Sequence, residues 1–169
     1  MPVSPPLAYR LLHTFGAIEA LLKQQHGFLG AEGNPAGPGR TKAKANWDAV
    51  DAAVRNLRPA DFFDHISQRT KDKMLGGARN RPQMQFVRVN PDGTWRAEFE
   101  DSDLPAQDSL ALVVAMRRVR NNLFHGGKAA NQPGRPLGDD DEWAQAALEV
   151  AEHLHDLLNR GELRPIQAP

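Results

Sequence analysis

Apolar positions recur at helical spacing through most of the chain. Leu7, Leu11, Ile18, Leu22 and Leu29 stand three or four residues apart, or sums of these, and predict an amphipathic helix over 7–29. The run Gly30-Ala31-Glu32-Gly33-Asn34-Pro35-Ala36-Gly37-Pro38-Gly39 cannot continue it, so 30–45 is expected to be a flexible surface loop. Its glycines lack the Gly-Lys-Ser/Thr ending and the preceding apolar strand of a phosphate-binding loop. A second stripe, Trp47, Val50, Val54 and Leu57, follows Asn46 as N-cap and stops before Pro59. A third helix is expected from Phe62 to Leu75, capped by Asp61 and closed by Gly76-Gly77.

The period then changes from helical to alternating. Met84 to Val89 and Thr94 to Phe99 flank Asn90-Pro91-Asp92-Gly93, which predicts a β-hairpin over about 83–100. A lone hairpin is not stable in water, so it should lie on the helices as an insertion, with Trp95 packed against them. Two further helices follow, from about Ala106 to Phe124 and from about Asp140 to Arg160. The second has acidic residues in its first turn, a stripe of Trp143, Ala147, Val150, Leu154, Leu157 and Leu158, and Gly161 as its stop. The expected fold is all-α: an up-and-down bundle of four to five helices with one hairpin insertion, a single domain over 1–169.

Composition narrows the function classes. There is no cysteine, which excludes disulfides and cysteine-ligated metals. The start, Met1-Pro2-Val3-Ser4-Pro5-Pro6, does not read as a signal peptide, and no apolar run reaches the length of a membrane span, so a cytoplasmic location is expected. With 21 basic and 21 acidic side chains the net charge is zero, so any binding to a polyanion must be local. Basic residues crowd at Arg117, Arg118, Arg120 and Lys128, and acidic ones at Asp139 to Glu142.

The helix that ends near Phe124 is apolar on two sides. Leu112, Met116, Val119 and Leu123 share one arc; Leu110, Val113, Val114 and Phe124 share a second, which turns polar at Arg117, Asn121 and His125. The second side should meet another helix, in this chain or in a second subunit. Asn121 and His125 lie one turn apart on one face. Arg120 and His125, five apart, are separated by about 140° and a rise of about 7.5 Å on a straight helix.

The segment Val119-Arg120-Asn121-Asn122-Leu123-Phe124-His125-Gly126-Gly127-Lys128 resembles the signature of HEPN domains: an Arg, four to six residues, then His, with a polar residue often following the Arg. An apolar helix carrying the motif and a last amphipathic helix add to the resemblance. It implies a helical homodimer with a metal-independent ribonuclease site at the subunit interface, no cofactor, and in some members a toxin or defence role with an antitoxin or nucleotidyltransferase-like partner. Arg120, Asn121 and His125 would then be catalytic, and Arg117, Arg118 and Lys128 would hold RNA phosphates. The residue types suit that chemistry: imidazole titrates near neutrality, and guanidinium grips phosphate oxygens with a planar fork. Two other readings stand beside it. One is a non-catalytic HEPN dimer that binds a nucleotide or a partner protein. In the other, Arg120 pairs with a carboxylate of the last helix while Asn121 and His125 cap their own helix end. His153 and His155, two apart, make a poor metal pair, and His13, His26 and His65 stand alone.

Overall fold

A computed structural model describes residues 3–37, 39–76, 82–124 and 140–166. The protein is mostly α-helical, with two small antiparallel hairpins. Five α-helices are described: α1 (Pro5–Gln24), α2 (Trp47–Arg55), α3 (Gln68–Leu75), α4 (Asp108–Phe124) and α5 (Asp140–Asn159). The hairpins are β1 (Leu29–Gly37) with β2 (Arg40–Ala45), and β3 (Met84–Val89) with β4 (Trp95–Glu100). Among the described residues no helix is long and apolar enough to cross a membrane.

α5 lies at the centre. Its alanines and leucines bury almost every face: Ala144, Ala147, Leu148, Val150, Ala151 and Leu154 have no exposed surface. α1, α3 and α4 pack around it. On α1 the inward stripe is Leu11, Phe15, Ile18 and Leu22, with Leu7 at its edge. Polar contacts fix the register at the other edge, where the Ser4 main-chain N–H donates to Asp141 (2.7 Å) and Arg10 pairs with Glu152 (2.8 Å). α5 ends as its sequence predicts: Gly161 has φ +66°, and the Glu162 N–H returns to the Leu157 carbonyl (2.9 Å).

Two helices differ from their expected lengths. α1 stops at Gln24 rather than running to Leu29. Gly27 sits so close to Pro165 that a Cβ there would overlap that ring, and Phe28 is wholly buried. The chain turns here to bury Phe28 and to bring Gly27 against Pro165 instead of adding another helical turn. α3 begins at Gln68 rather than Phe62, after two 3-10 turns. Asp61, the expected cap, instead pairs with Arg58 (2.7 Å). Ser67 caps α3, accepting from the Thr70 N–H (3.3 Å), and is itself held by Glu149 of α5 through its N–H (2.6 Å) and hydroxyl (2.8 Å). Burial alone would raise the Glu149 pKa, but donors from Thr70 and Ser67 hold the carboxyl below its usual range.

The stretch 30–45 is a hairpin, not a loop, and this corrects the sequence expectation. Leu29 pairs with Ala45, Gly30 with Lys44, Ala31 with Ala43 and Glu32 with Lys42, before the register shifts toward Gly37 and Arg40. Glycine and proline forbid a helix there, but they tolerate the bulge and the left-handed turn at Gly39 (φ +69°).

The second hairpin forms where the alternation predicts it. Gly93 has φ +82°, and Asp92 accepts from the Thr94 N–H (2.9 Å) and hydroxyl (2.6 Å), which holds its pKa down. One face carries a ladder of ion pairs, Arg88 with Glu98 and Glu100 and Arg96 with Glu98. The other carries Val87, Val89 and Trp95, and Trp95 is 75% exposed rather than packed on the helices. The hairpin meets α4 through β3, so its far end projects away.

His153 of α5 gives the fold a pH dependence. Its ring packs 5.1 Å from Phe62 and 5.2 Å from His65, and Nε2 has no hydrogen-bond partner among the described residues. Burial lowers its pKa, helped by His65 and Arg160 and opposed by a main-chain hydrogen bond at Asp61. The unfolded chain therefore binds this proton more readily than the folded one. The stabilisation is complete above the ordinary histidine pKa of about 6.5 and is lost as pH falls through the folded value. Thermal melts from pH 7.5 to 5.5 should show the melting temperature falling by about 2–4 °C per kcal/mol lost at this chain size. His153→Phe should flatten that dependence; an equal slope in the variant would exclude His153 as its source.

Candidate functional site

α4 buries two sides within one chain. Ala111, Leu112, Val113, Ala115 and Met116 have no exposed surface, and α2, α3 and α5 cover them. The second apolar side therefore needs no partner subunit along this stretch. Only toward the C-terminal end does the helix open, through Val114, Arg117, Arg120 and Asn121, into a cleft of about 470 Å³. Across it stand Phe15 and Glu19 of α1, Trp47, Asp48 and Asp51 of α2, and Met84 of β3.

Arg117 is held firmly. Its guanidinium donates to both oxygens of Asp51 (2.8 and 2.7 Å) and lies 4.9 Å above the Trp47 ring. Both partners keep only about a fifth of their side-chain surface exposed, at 20% and 22%. A charge pair of this burial holds its geometry, because losing either partner leaves the other stranded. Arg117 thus fastens α2 to α4 and keeps its charge for Asp51.

Arg118 is committed to the backbone. Its guanidinium donates to the main-chain carbonyls of Ser102 (2.6 Å) and Asp103 (2.8 Å) and reaches that of Pro82 (3.5 Å). One turn on, the Asn122 amide donates to the Gln83 carbonyl (2.7 Å). Residues 82–83 enter the second hairpin and 102–103 leave it, so this pair clips the hairpin's base to α4. Burial lowers the Arg118 pKa, the Arg117 charge lowers it further, and Asp103 opposes both.

Arg120 and Asn121 face the cleft together. The Arg120 guanidinium donates to Asn121 Oδ1 (3.1 Å) and lies 5.8 Å from the Phe15 ring centre. Asn121 is thereby oriented by its neighbour, and Arg120 rests on an aromatic surface that leaves its planar fork directed by side chains. His125 and Lys128 lie outside the described residues, which on α4 end at Phe124.

Of the expected site residues the structure brings Arg117, Arg118, Arg120 and Asn121 to one cleft, with different tasks. It adds three carboxylates, Glu19, Asp48 and Asp51, against the three arginines, so the cleft is close to charge-balanced. Trp47 serves both the core and the cleft, being half-buried below Arg117. Asp48 and Asp51, three apart on α2 and both just after Trp47, carry no recognisable motif; the one signal is two acids that fall on the same side of that aromatic on the helix.

No family model matches this chain, and neither does any curated protein or solved structure. The functional reading therefore stands on the residues and their chemistry.

Clipping by Arg118 and Asn122 has a measurable outcome. In Arg118→Ala/Asn122→Ala, amide exchange over 84–100 should accelerate by at least about tenfold, each lost bond being worth about 1 kcal/mol or more. α1 and α5 should keep their protection. Unchanged exchange in the hairpin would show that these bonds do not hold it.

Proposed function

We propose that this chain is a HEPN-type endoribonuclease that cleaves RNA without a metal, through attack by the substrate's own 2′-hydroxyl. The observation that carries the reading is the pairing of Arg120 and Asn121 in a cleft near the end of α4, five and four residues before His125 in the chain. His125 takes the proton from the 2′-hydroxyl and returns a proton to the leaving 5′-oxygen. As the 2′-oxygen bonds to phosphorus and the bond to the 5′-oxygen breaks, Arg120 stabilises charge on the non-bridging oxygens. Asn121, held by Arg120, orients the His or a phosphate oxygen. The products are a 2′,3′-cyclic phosphate and a 5′-hydroxyl.

The finer architecture belongs to the same proposal: the helices form an up-and-down bundle, and two copies pair through the open end of α4. The middle of α4 is covered inside the chain, so pairing would use its last turns and the residues from His125 onward. Two-fold symmetry then supplies a second Arg120 and His125, which suits residues about 140° apart on one helix. Arg117 and Arg118 act in this reading as supports rather than phosphate ligands, because Asp51 and main-chain carbonyls already occupy them. Lys128 keeps its role as a phosphate contact. A toxin or defence role, with an antitoxin or nucleotidyltransferase-like partner, comes from the resemblance alone.

A second reading has one observation in its favour. Glu19, Asp48 and Asp51 offset the three arginines, and a balanced cleft suits a nucleotide or a partner protein as well as a polyanion. That form is a non-catalytic dimer in which Arg120 and His125 serve binding.

Labelled RNA incubated with the protein in excess chelator separates the two. Cleavage should fall by about a hundredfold or more in Arg120→Ala and in His125→Ala, with folding and association state retained. Cleavage that requires Mg²⁺, or that persists in both variants, rules the mechanism out. Absence of any cleavage by the unaltered protein favours the binding form.

A further inference from the structure

The first hairpin carries a line of charge that the cleft does not use. β2 is Arg40-Thr41-Lys42-Ala43-Lys44-Ala45, and its burial pattern is exposed at every position but the last. Side chains alternate across a strand, so Arg40, Lys42 and Lys44 share one face at steps of about 6.8 Å. Thr41, Ala43 and Ala45 take the other. The partner strand leaves the basic face almost bare: Gly30 lies opposite Lys44, Gly37 opposite Arg40, and only Glu32, opposite Lys42, brings a carboxylate. A Cβ at Gly30 would stand 3.3 Å from Lys44 Cγ, so glycine gives the Lys44 stem room to lie along the sheet. None of the ion pairs among the described residues involves these three cations.

The line also has a direction. β2 runs from the hairpin tip toward the helices, Asn46 caps α2, and the next residue, Trp47, lines the cleft. Lys44 is thus three residues from the cleft wall, and Arg40 is farthest out.

We propose that β2 is a binding track for the sugar–phosphate backbone of single-stranded RNA, with Arg40, Lys42 and Lys44 each contacting one phosphate and leading the strand to the Arg120 cleft. The choice of RNA rests on the ribonuclease reading; the track itself rests on the hairpin. Linear spacing favours an extended polyanion: successive cations on one strand face step at a length comparable to successive phosphates of an extended nucleotide chain. The chain is neutral overall, so such a stripe supplies locally the charge that the balanced cleft lacks. A membrane surface would be met better by a broad basic patch with apolar anchors, and the other face of β2 offers only Thr and Ala.

The test measures binding, not cleavage. A 2′-O-methyl oligonucleotide has no nucleophile, so its affinity for the full chain is read by fluorescence anisotropy across a salt series. Arg40→Gln/Lys42→Gln/Lys44→Gln should bind at least about tenfold more weakly, and its log–log salt slope should be shallower by about 2, at about 0.7 per lost phosphate contact. The charge-keeping set Arg40→Lys/Lys42→Arg/Lys44→Arg should bind as the unaltered protein does. So should Arg55→Gln/Arg69→Gln/Arg164→Gln, which removes three exposed cations that do not line the cleft. Equal losses from the two glutamine sets, or an unchanged slope, overturn the track. So does binding to phosphatidylserine vesicles without binding to the oligonucleotide. If the protein cuts no RNA and the oligonucleotide results still hold, the ribonuclease reading fails and the track stands. If it cuts RNA and the slope is unchanged, the reverse is true.

Discussion

The close burial of α4 inside a single chain governs where the polar side chains of the cleft stand. Ala111, Leu112, Val113, Ala115 and Met116 are wholly covered, so the helix can neither rotate nor slide without opening the core. Its last turns are thereby fixed in space, and so are the positions of Arg117, Arg118, Arg120 and Asn121. A small shift of register would exchange the residue that faces Asp51 for one that faces the hairpin base. The polar end of α4 is ordered because its apolar middle is.

Five polar positions near the end of α4 then divide their work by angle. Arg117 faces α2 and meets Asp51 over Trp47. Arg118 and Asn122 face the other way and hold main-chain carbonyls at the base of the second hairpin. Arg120 and Asn121 line the cleft and are bonded to each other. A run of three arginines in four residues reads as a phosphate-binding cluster, yet two of the three are structural. Their charge is matched by a carboxylate or by carbonyl dipoles. The proposed function accordingly rests on Arg120 and His125, and the proposed RNA track adds the exposed cations of β2.

The helices were legible where a stripe or a boundary signal marks them: Leu11, Ile18 and Leu22 on α1, Asn46 and Pro59 around α2, Gly161 after α5. The second hairpin was legible because Asn90 to Gly93 is a turn with flanking alternation. The first was not. Its glycines and prolines resemble a loop, and the alternation that marks β2 is of lysine with alanine rather than of polar with large apolar residues. The start of α3 was misplaced because Asp61 has the chemistry of a cap, whereas the cap that forms, Ser67, is selected by Glu149, 82 residues away. For the same reason Arg118 could not be assigned: its acceptors are main-chain carbonyls, which leave no trace in residue identity. Trp95 was expected to pack against the helices, but it lies at the far end of its hairpin, away from the base that meets α4, and is exposed.

The proposed chemistry gives charge stabilisation to Arg120 and proton transfer to His125. The most direct measurement is the chemistry of the cut ends. Fragments of a defined RNA, produced in chelator and analysed by mass spectrometry, should carry a 2′,3′-cyclic phosphate and a 5′-hydroxyl, and a single 2′-deoxy residue at the cut should abolish that cleavage. Fragments ending in a 3′-hydroxyl and a 5′-phosphate, or cleavage that ignores the missing 2′-hydroxyl, would contradict the account.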